Sequence, residues 1–323
     1  MSEVLVTGAN GYVGTRLIAE LLREGREVRG VVRSLASEAG VRDAVRRDGV
    51  DDSGLALAVA DLTVDQGWTA ALSDVEEVHH VASPIPPAQP RDPNELIVPA
   101  REGTLRVLKA ARDAGARRVV LTSSFAAVGY SPKPVRDYTE ADWTDPDTPG
   151  LAPYPRSKAI AERAAWDFIE SEGRDTELVV VNPTFIAGPS LVSSLRSSLS
   201  GFKAIIEGTM AALPRQRFGV VDVRDVANAH IAAMATTDAA GKRYLLLADG
   251  PTITWLALAQ TLKQYLGAAG EHVTTAEAPG EEPSPLVIHN ERAKDELGFR
   301  PRRAESTITE TAQSLRDLGL LAV

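Results

Sequence analysis

The sequence predicts an α/β fold with a doubly wound parallel sheet, on three observations. Short apolar runs suited to strands buried on both faces alternate with amphipathic segments from residue 4 to about residue 180. The first run opens into three spaced glycines and then a helix, the strand–turn–helix order that holds a nucleotide phosphate. No run of about 18 apolar residues breaks the pattern, so no membrane-spanning helix is expected.

In order, Val4-Leu5-Val6 reads as the first strand, followed by Gly8, Asn10, Gly11, Tyr12, Val13 and Gly14 in the turn. Glycine permits a tight turn and a close ligand approach. Leu17, Ile18, Leu21 and Leu22 make one helical face, and Gly25 stops the helix. Glu27 to Arg33 is the second strand. In dinucleotide folds an acid at the end of this strand binds the ribose 2′-hydroxyl of NAD, whereas a basic residue accommodates a 2′-phosphate. Arg33-Ser34 stands there, which favours NADPH. Val41 to Val50 reads as helix, and Ala56 to Ala60 as the third strand, ending in Asp61-Leu62. The Asp61 carboxylate suits either an adenine amino group or an ordinary turn.

Glu77 to Ala82 is the fourth strand. Its His79 and His80 are adjacent and therefore point to opposite faces, so no metal site is expected. Proline-rich Ser83 to Pro93 follows the carboxyl end of that strand, where open parallel sheets bind ligands, and is expected to wall the site. A helix runs from Asn94 or Glu95 to Ala114. Arg118 to Thr122 is the fifth strand and leads directly into Ser123-Ser124. Ser131 to Pro153 reads as a long loop. The next helix spans Tyr154 to about Glu172, with Pro155 tolerated in its first turn. Glu177 to Val181 is the sixth strand, closed by Asn182-Pro183-Thr184.

Beyond this the alternation weakens. Phe185 to Arg217 reads as loop and helix, Ala227 to Met234 as helix, Tyr244 to Ala248 as strand and Trp255 to Leu266 as helix. A Pro/Glu loop (278–285) precedes Leu286 to His289 and a final helical region. Residues 1–181 are expected to form the nucleotide-binding core and 182–323 mainly a smaller C-terminal substrate-binding lobe. Segments at about 222–248 are expected to return to the core.

The chemistry rests on Ser124, Tyr154 and Lys158. Reducing a carbonyl needs a hydride on carbon and a proton on oxygen. Tyrosine can supply the proton, although its ordinary pKa near 10 makes it sluggish at neutral pH. Lys158, one helical turn from Tyr154, is expected to favour the phenolate and lower that pKa. A serine hydroxyl polarises the carbonyl, and a nicotinamide carries the hydride.

These residues resemble the extended short-chain dehydrogenase/reductase family over essentially the whole chain. TGANGYVG (7–14) is similar to its glycine motif and YPRSK (154–158) to its active-site motif. HVASP (80–84), VLTSSFAAV (120–128), NPTFIAGP (182–189), DVRDVANAH (222–230) and ELGFRP (296–301) resemble the dihydroflavonol-reductase-like branch. That branch includes plant cinnamoyl-CoA reductases and microbial methylglyoxal or carbonyl reductases, the last being most similar.

The resemblance implies a Rossmann fold, with Ser124 polarising the carbonyl, Tyr154 donating the proton and Lys158 as its partner. It places Arg33 at the NADP phosphate, Asp61 and Leu62 by the adenine, and Pro183 beside the nicotinamide. Ala82, Ser83, Thr122 and Thr184 join the glycine-turn residues, Tyr154 and Lys158 as expected cofactor contacts. Where many relatives carry Asn in an N-G-T-like stretch, this chain has Glu102-Gly103-Thr104. Ser83, Phe125, Phe185, Val192 and Leu213 are candidates for the substrate pocket, with ordinary core as the alternative for the four apolar ones.

A net charge of −9 argues against a nucleic-acid surface. The absence of cysteine excludes disulfides and thiol catalysis. With no basic, apolar leader pattern, a cytoplasmic monomer or homodimer is expected. The expected partner is a small carbonyl compound. The alternatives are NAD(P)-linked hydroxyl oxidation, sugar-nucleotide conversion by epimerisation or dehydration, or an NADP sensor without chemistry.

Overall fold

A computed structural model describes residues 3–84, 92–195 and 198–322. Seven strands form its central sheet: β1 (Glu3–Thr7), β2 (Val28–Val32), β3 (Leu55–Val59), β4 (Val75–His80), β5 (Arg118–Thr122), β6 (Glu177–Pro183) and β7 (Arg243–Leu246). All neighbours are parallel, in the order β3-β2-β1-β4-β5-β6-β7. The chain winds outward from β1 in one direction and from β4 in the other. A crevice therefore opens beyond the carboxyl ends of β1 and β4, the switch point at which such sheets bind ligands.

Parallel strands need crossovers, and these cover both faces. Along the strands, side chains alternate. Leu5, Val78, Val119, Leu178 and Val180 pack on the face that holds α4 (Asn94–Asp113) and α5 (Pro153–Glu172), with Val107, Leu108, Ala165 and Phe168. Val4, Val6, Val120, Val179 and Val181 face α1 (Tyr12–Arg23), α2 (Glu38–Arg47) and α7 (Val223–Ala235) on the other side. Both faces are dry, which explains the nearly continuous apolar runs.

The 222–248 region supplies α7 and the edge strand β7 to this sheet. Helices α6 (Ser198–Ile206), α8 (Trp255–Leu266) and α10 (Ala304–Asp317) enclose a separate apolar cluster around Phe202, Ile205, Leu262 and Ile308. Two short helices, α3 (Trp68–Ala71) and α9 (Glu291–Leu297), follow β3 and precede α10 respectively.

Several expected boundaries move. The fourth strand is β4, Val75–His80, so Val81 and Ala82 lie beyond its end. The helix expected at 41–50 begins at Glu38, and β7 begins at Arg243. The 131–153 loop contains a two-residue strand, Asp137–Tyr138, parallel to Val287–Ile288. Of the proline-rich stretch expected to wall the site, residues 85–91 lie outside the described residues.

Candidate active site

The carboxyl end of β1 is tied to that of β4 by one hydroxyl. Thr7 Oγ1 accepts the backbone N–H groups of Val81 and Ala82, each at 3.0 Å, and lies 2.9 Å from His80 Nδ1. With both lone pairs engaged, Thr7 donates its own proton to His80, which places the imidazole proton on Nε2. Burial, reinforced by the positive charge of Lys158, holds the His80 pKa down to about 3, so the ring is neutral.

The turn after Thr7 has little room. Gly8 has φ +71°, and a Cβ on Gly14 would lie 2.2 Å from the Gly8 carbonyl oxygen. Gly11 N–H donates to Gly8 O (2.9 Å), and Thr15 Oγ1 donates to Ala9 O (2.7 Å). Gly11 is the N-cap of α1 and offers no side-chain cap. The first-turn N–H groups and the positive end of the helix dipole therefore suit a ligand phosphate.

At the end of β2, Arg33 is exposed and forms no hydrogen bond or ion pair among the described residues. Nearby, Asn10 Nδ2 donates to Ser37 Oγ at 3.3 Å. Asp61 accepts both N–H and Oγ1–H from Thr63 at 2.8 Å each. Burial raises the Asp61 pKa, but the Thr63 bonds and the charges of Arg33 and Arg106 hold it below the usual range. Leu62 is braced by α4, where a Cβ on Gly103 would come within 3.0 Å of its Cβ. Arg106 also donates to the Leu62 carbonyl. Glu102 turns outward and pairs with Arg101 at 3.1 Å.

Ser124, Tyr154 and Lys158 come together beside this crevice. Ser124 caps the short turn Phe125–Ala127, its hydroxyl accepting Ala126 N–H at 3.1 Å and lying in hydrogen-bonding reach of the Tyr154 phenol. Lys158 Nζ is 5.9 Å from the centre of the Tyr154 ring and donates to Ser83 Oγ at 3.1 Å. Burial brings the Lys158 pKa down to about 8, against the opposing charge of Glu162. The expected net lowering of the tyrosine pKa is corrected. The phenol is held above its ordinary value because burial outweighs the Ser124 hydrogen bond.

The remaining predicted residues divide. Ala82 and Ser83 lie at the β4 exit, and Pro183 ends β6 opposite Leu246. Thr184 N–H donates to Leu246 O at 3.0 Å. Thr122 Oγ1 is bonded to His230 Nε2 (2.7 Å), and His230 in turn contacts His79 (3.3 Å). Tyr12 sends its phenol to Gly188 O at 2.6 Å, and Val13 packs beside the α7 cluster. Phe125, Phe185, Val192 and Leu213 fall in three apolar clusters, Phe185 and Leu213 in the same one. Phe125 packs with Tyr138 and Leu245, Phe185 with Phe202, Phe218 and Trp255, and Val192 with the α1–α2 cluster. Leu213 is wholly buried in the C-terminal cluster.

Sequence reasoning missed Thr7, Glu162 and Asn182. Only Glu162 carried a usable signal, since it lies four residues after Lys158 and so shares its helical face. Asn182 Nδ2 donates to the Ser124 carbonyl at 3.2 Å, a contact made only through the pairing of β5 with β6.

Comparison with known proteins places the chain in a family. Residues 4–246 match the model of the NAD dependent epimerase/dehydratase family. A cinnamoyl-CoA reductase of Medicago truncatula is 37% identical over 75% of this chain and 75% of its own. A putative NADPH-dependent methylglyoxal reductase of Candida albicans, GRP2, is 31% identical over 93% of this chain and 94% of its own. Among solved structures, yeast methylglyoxal/isovaleraldehyde reductase Gre2 complexed with NADPH superposes with TM-score 0.82 at 26% identity, covering 99% and 100% of the two chains. The chain belongs to the NAD dependent epimerase/dehydratase family, the extended branch of the short-chain dehydrogenases/reductases.

Proposed function

We propose that this protein is an NADPH-dependent reductase of aldehydes or ketones, with Tyr154 as the proton donor. The observation that carries the reading is the meeting of Ser124, Tyr154 and Lys158 at the edge of a glycine-lined nucleotide crevice. The relatives named above support it, being oxidoreductases that include NADPH-dependent and NADPH-bound reductases.

The residues fit the cofactor. Gly8, Gly11 and Gly14 leave the open, uncapped start of α1 for the pyrophosphate, and the Arg33 guanidinium, unpaired among the described residues, suits a 2′-phosphate. When bound, NADPH supplies the hydride. Ser124 hydrogen-bonds the substrate oxygen and holds it beside the phenol. Tyr154 keeps its proton at neutral pH, as a phenol at or above its ordinary pKa does, and gives it to the alkoxide formed on the substrate. Lys158, largely charged below pH 8, stabilises the phenolate left behind and is itself steadied by Ser83.

On the same reading, residues 1–181 bind the cofactor and 182–323 mainly the substrate, with segments at about 222–248 returning to the core. NADPH consumption against aldehydes, α-dicarbonyls, β-ketoesters and aryl ketones, with NADH alongside, tests the function. Turnover selective for NADPH is expected. Tight NADPH binding without turnover of any carbonyl would instead favour a sugar-nucleotide substrate or a sensor.

A further inference from the structure

Behind the three residues of the site lies a carboxylate that never reaches it. Glu162 is on α5, one turn beyond Lys158, and is essentially fully buried. Three strands converge on it. Ser123 Oγ at the end of β5 and Asn182 Nδ2 in β6 (2.7 Å) both donate to Oε2, while Arg243 Nε from β7 (2.6 Å) donates to Oε1. Trp166 Nε1 on α5 adds a longer contact at 3.4 Å.

Each partner leads onward. Asn182 also donates to the Ser124 carbonyl. Arg243 donates to the carbonyls of Glu140 and Asp142 at 2.8 Å each and lies 3.7 Å from the centre of the Trp143 ring, which fastens the 131–153 loop. Glu162 and Lys158 also line one cavity of about 20 Å³ with Ser83, Thr104 and Ser123, room for a single water.

We propose that Glu162 is a positioning residue that fixes the Ser124-bearing end of β5 against the Tyr154–Lys158 face of α5 and sets its carboxylate on the same small cavity as the Lys158 ammonium. A buried ion pair is poor value as a source of stability alone, because desolvation offsets most of the attraction. Here the Glu162–Arg243 pair does something an apolar pair would not, since the Glu162 carboxylate joins three strand ends to one helix. This inference rests on the reductase reading above.

Among the described residues, the charged and titratable groups around Glu162 and Lys158 are few. Lys158 and Glu162 come from α5, neutral His80 from β4, Arg243 from β7, and Glu140 and Asp142 from the loop, where Asp142 is paired with Lys133. Tyr154 completes the surroundings of Lys158. Of these, Glu162 is the acid that opposes the effect of burial on Lys158. Removing its charge while keeping its shape should let Lys158 deprotonate at lower pH.

The test is Glu162→Gln in the full-length enzyme, with kcat followed against pH and NADPH binding measured by fluorescence. Expected are NADPH affinity within about twofold of wild type, kcat lower by about ten- to a hundredfold, as misplaced catalytic groups produce, and an alkaline limb displaced to lower pH. Glu162→Asp keeps the charge but withdraws it. It should lower kcat while displacing the limb less than Gln does, and it carries the test if the Gln variant does not fold. Wild-type kcat in either variant, or a Gln variant with reduced kcat and an unmoved limb, would overturn the proposal. Failure of the wild-type enzyme to reduce any carbonyl would overturn the reductase reading instead.

Discussion

Replacing Gly14 with alanine puts a methyl group where only backbone surrounds it. The new Cβ would be 2.2 Å from the Gly8 carbonyl oxygen and 2.9 Å from its carbon, about 1 Å short of ordinary contact. No rotamer relieves the clash, so either α1 retreats or the turn opens. Opening the turn lengthens Gly11 N–H to Gly8 O and Thr15 Oγ1 to Ala9 O, now 2.9 and 2.7 Å. Overpacking of this kind costs about 1–3 kcal/mol, and two weakened hydrogen bonds add about 1 kcal/mol each. The sum, about 3–5 kcal/mol, corresponds to a Tm lower by about 5–8 °C for a chain of this size. Because the displaced N–H groups are those offered to the pyrophosphate, NADPH affinity should fall at least about tenfold. Gly25→Ala is the control. It has φ +75° but open space around it, so it should cost only about 1 kcal/mol and leave cofactor binding alone. Thermal melts and fluorescence titration measure both effects. A Gly14→Ala protein that binds NADPH as tightly as wild type would refute the phosphate-cradle assignment.

Other consequences follow from single groups. Arg33→Asp should weaken NADPH far more than NADH in parallel titrations, and equal weakening would remove Arg33 from the phosphate site. Acid should destabilise the fold well before its carboxylates titrate. The pKa values of His79 and His80 are held down by burial from 6.5 to about 3, and that of His230 falls in the same direction. Below pH 6.5 the unfolded chain therefore binds protons that the native chain refuses, and stability present at neutral pH is lost as pH falls. At pH 5 this amounts to about 2 kcal/mol for each of His79 and His80. His289, whose pKa is raised overall by Asp137 and Glu291 against burial, acts in the opposite sense. Urea unfolding at pH 7 and pH 5 should show the loss, and unchanged midpoints would mean that the buried histidines carry charge.

Local signals revealed what is local. The run Val4 to Gly14 held a strand, a turn and a helix start within eleven residues, and Tyr154 and Lys158 share a face because they are one turn apart. What escaped depends on the sheet order. Glu162, Asn182 and Arg243 are far apart in the chain and meet only because β5, β6 and β7 are neighbours beside α5. The His79–His230 pair spans 151 residues for the same reason. The direction of the Tyr154 shift was missed because helical spacing reports proximity to Lys158 but not burial, which proves the larger effect. Apolar residues of the later segments gave no local signal of their setting, since Leu213 and Phe185 meet in the C-terminal cluster only through the packing of distant helices.

The most direct test of the proposed chemistry is single-turnover reduction by Tyr154→Phe, with NADPH binding measured on the same sample. The variant loses only a hydroxyl in reach of Ser124. NADPH affinity near that of wild type, with reduction slowed by at least about 10²-fold, as removal of a positioned proton donor predicts, is the expected result. Reduction at a rate close to wild type would contradict Tyr154 as the proton donor.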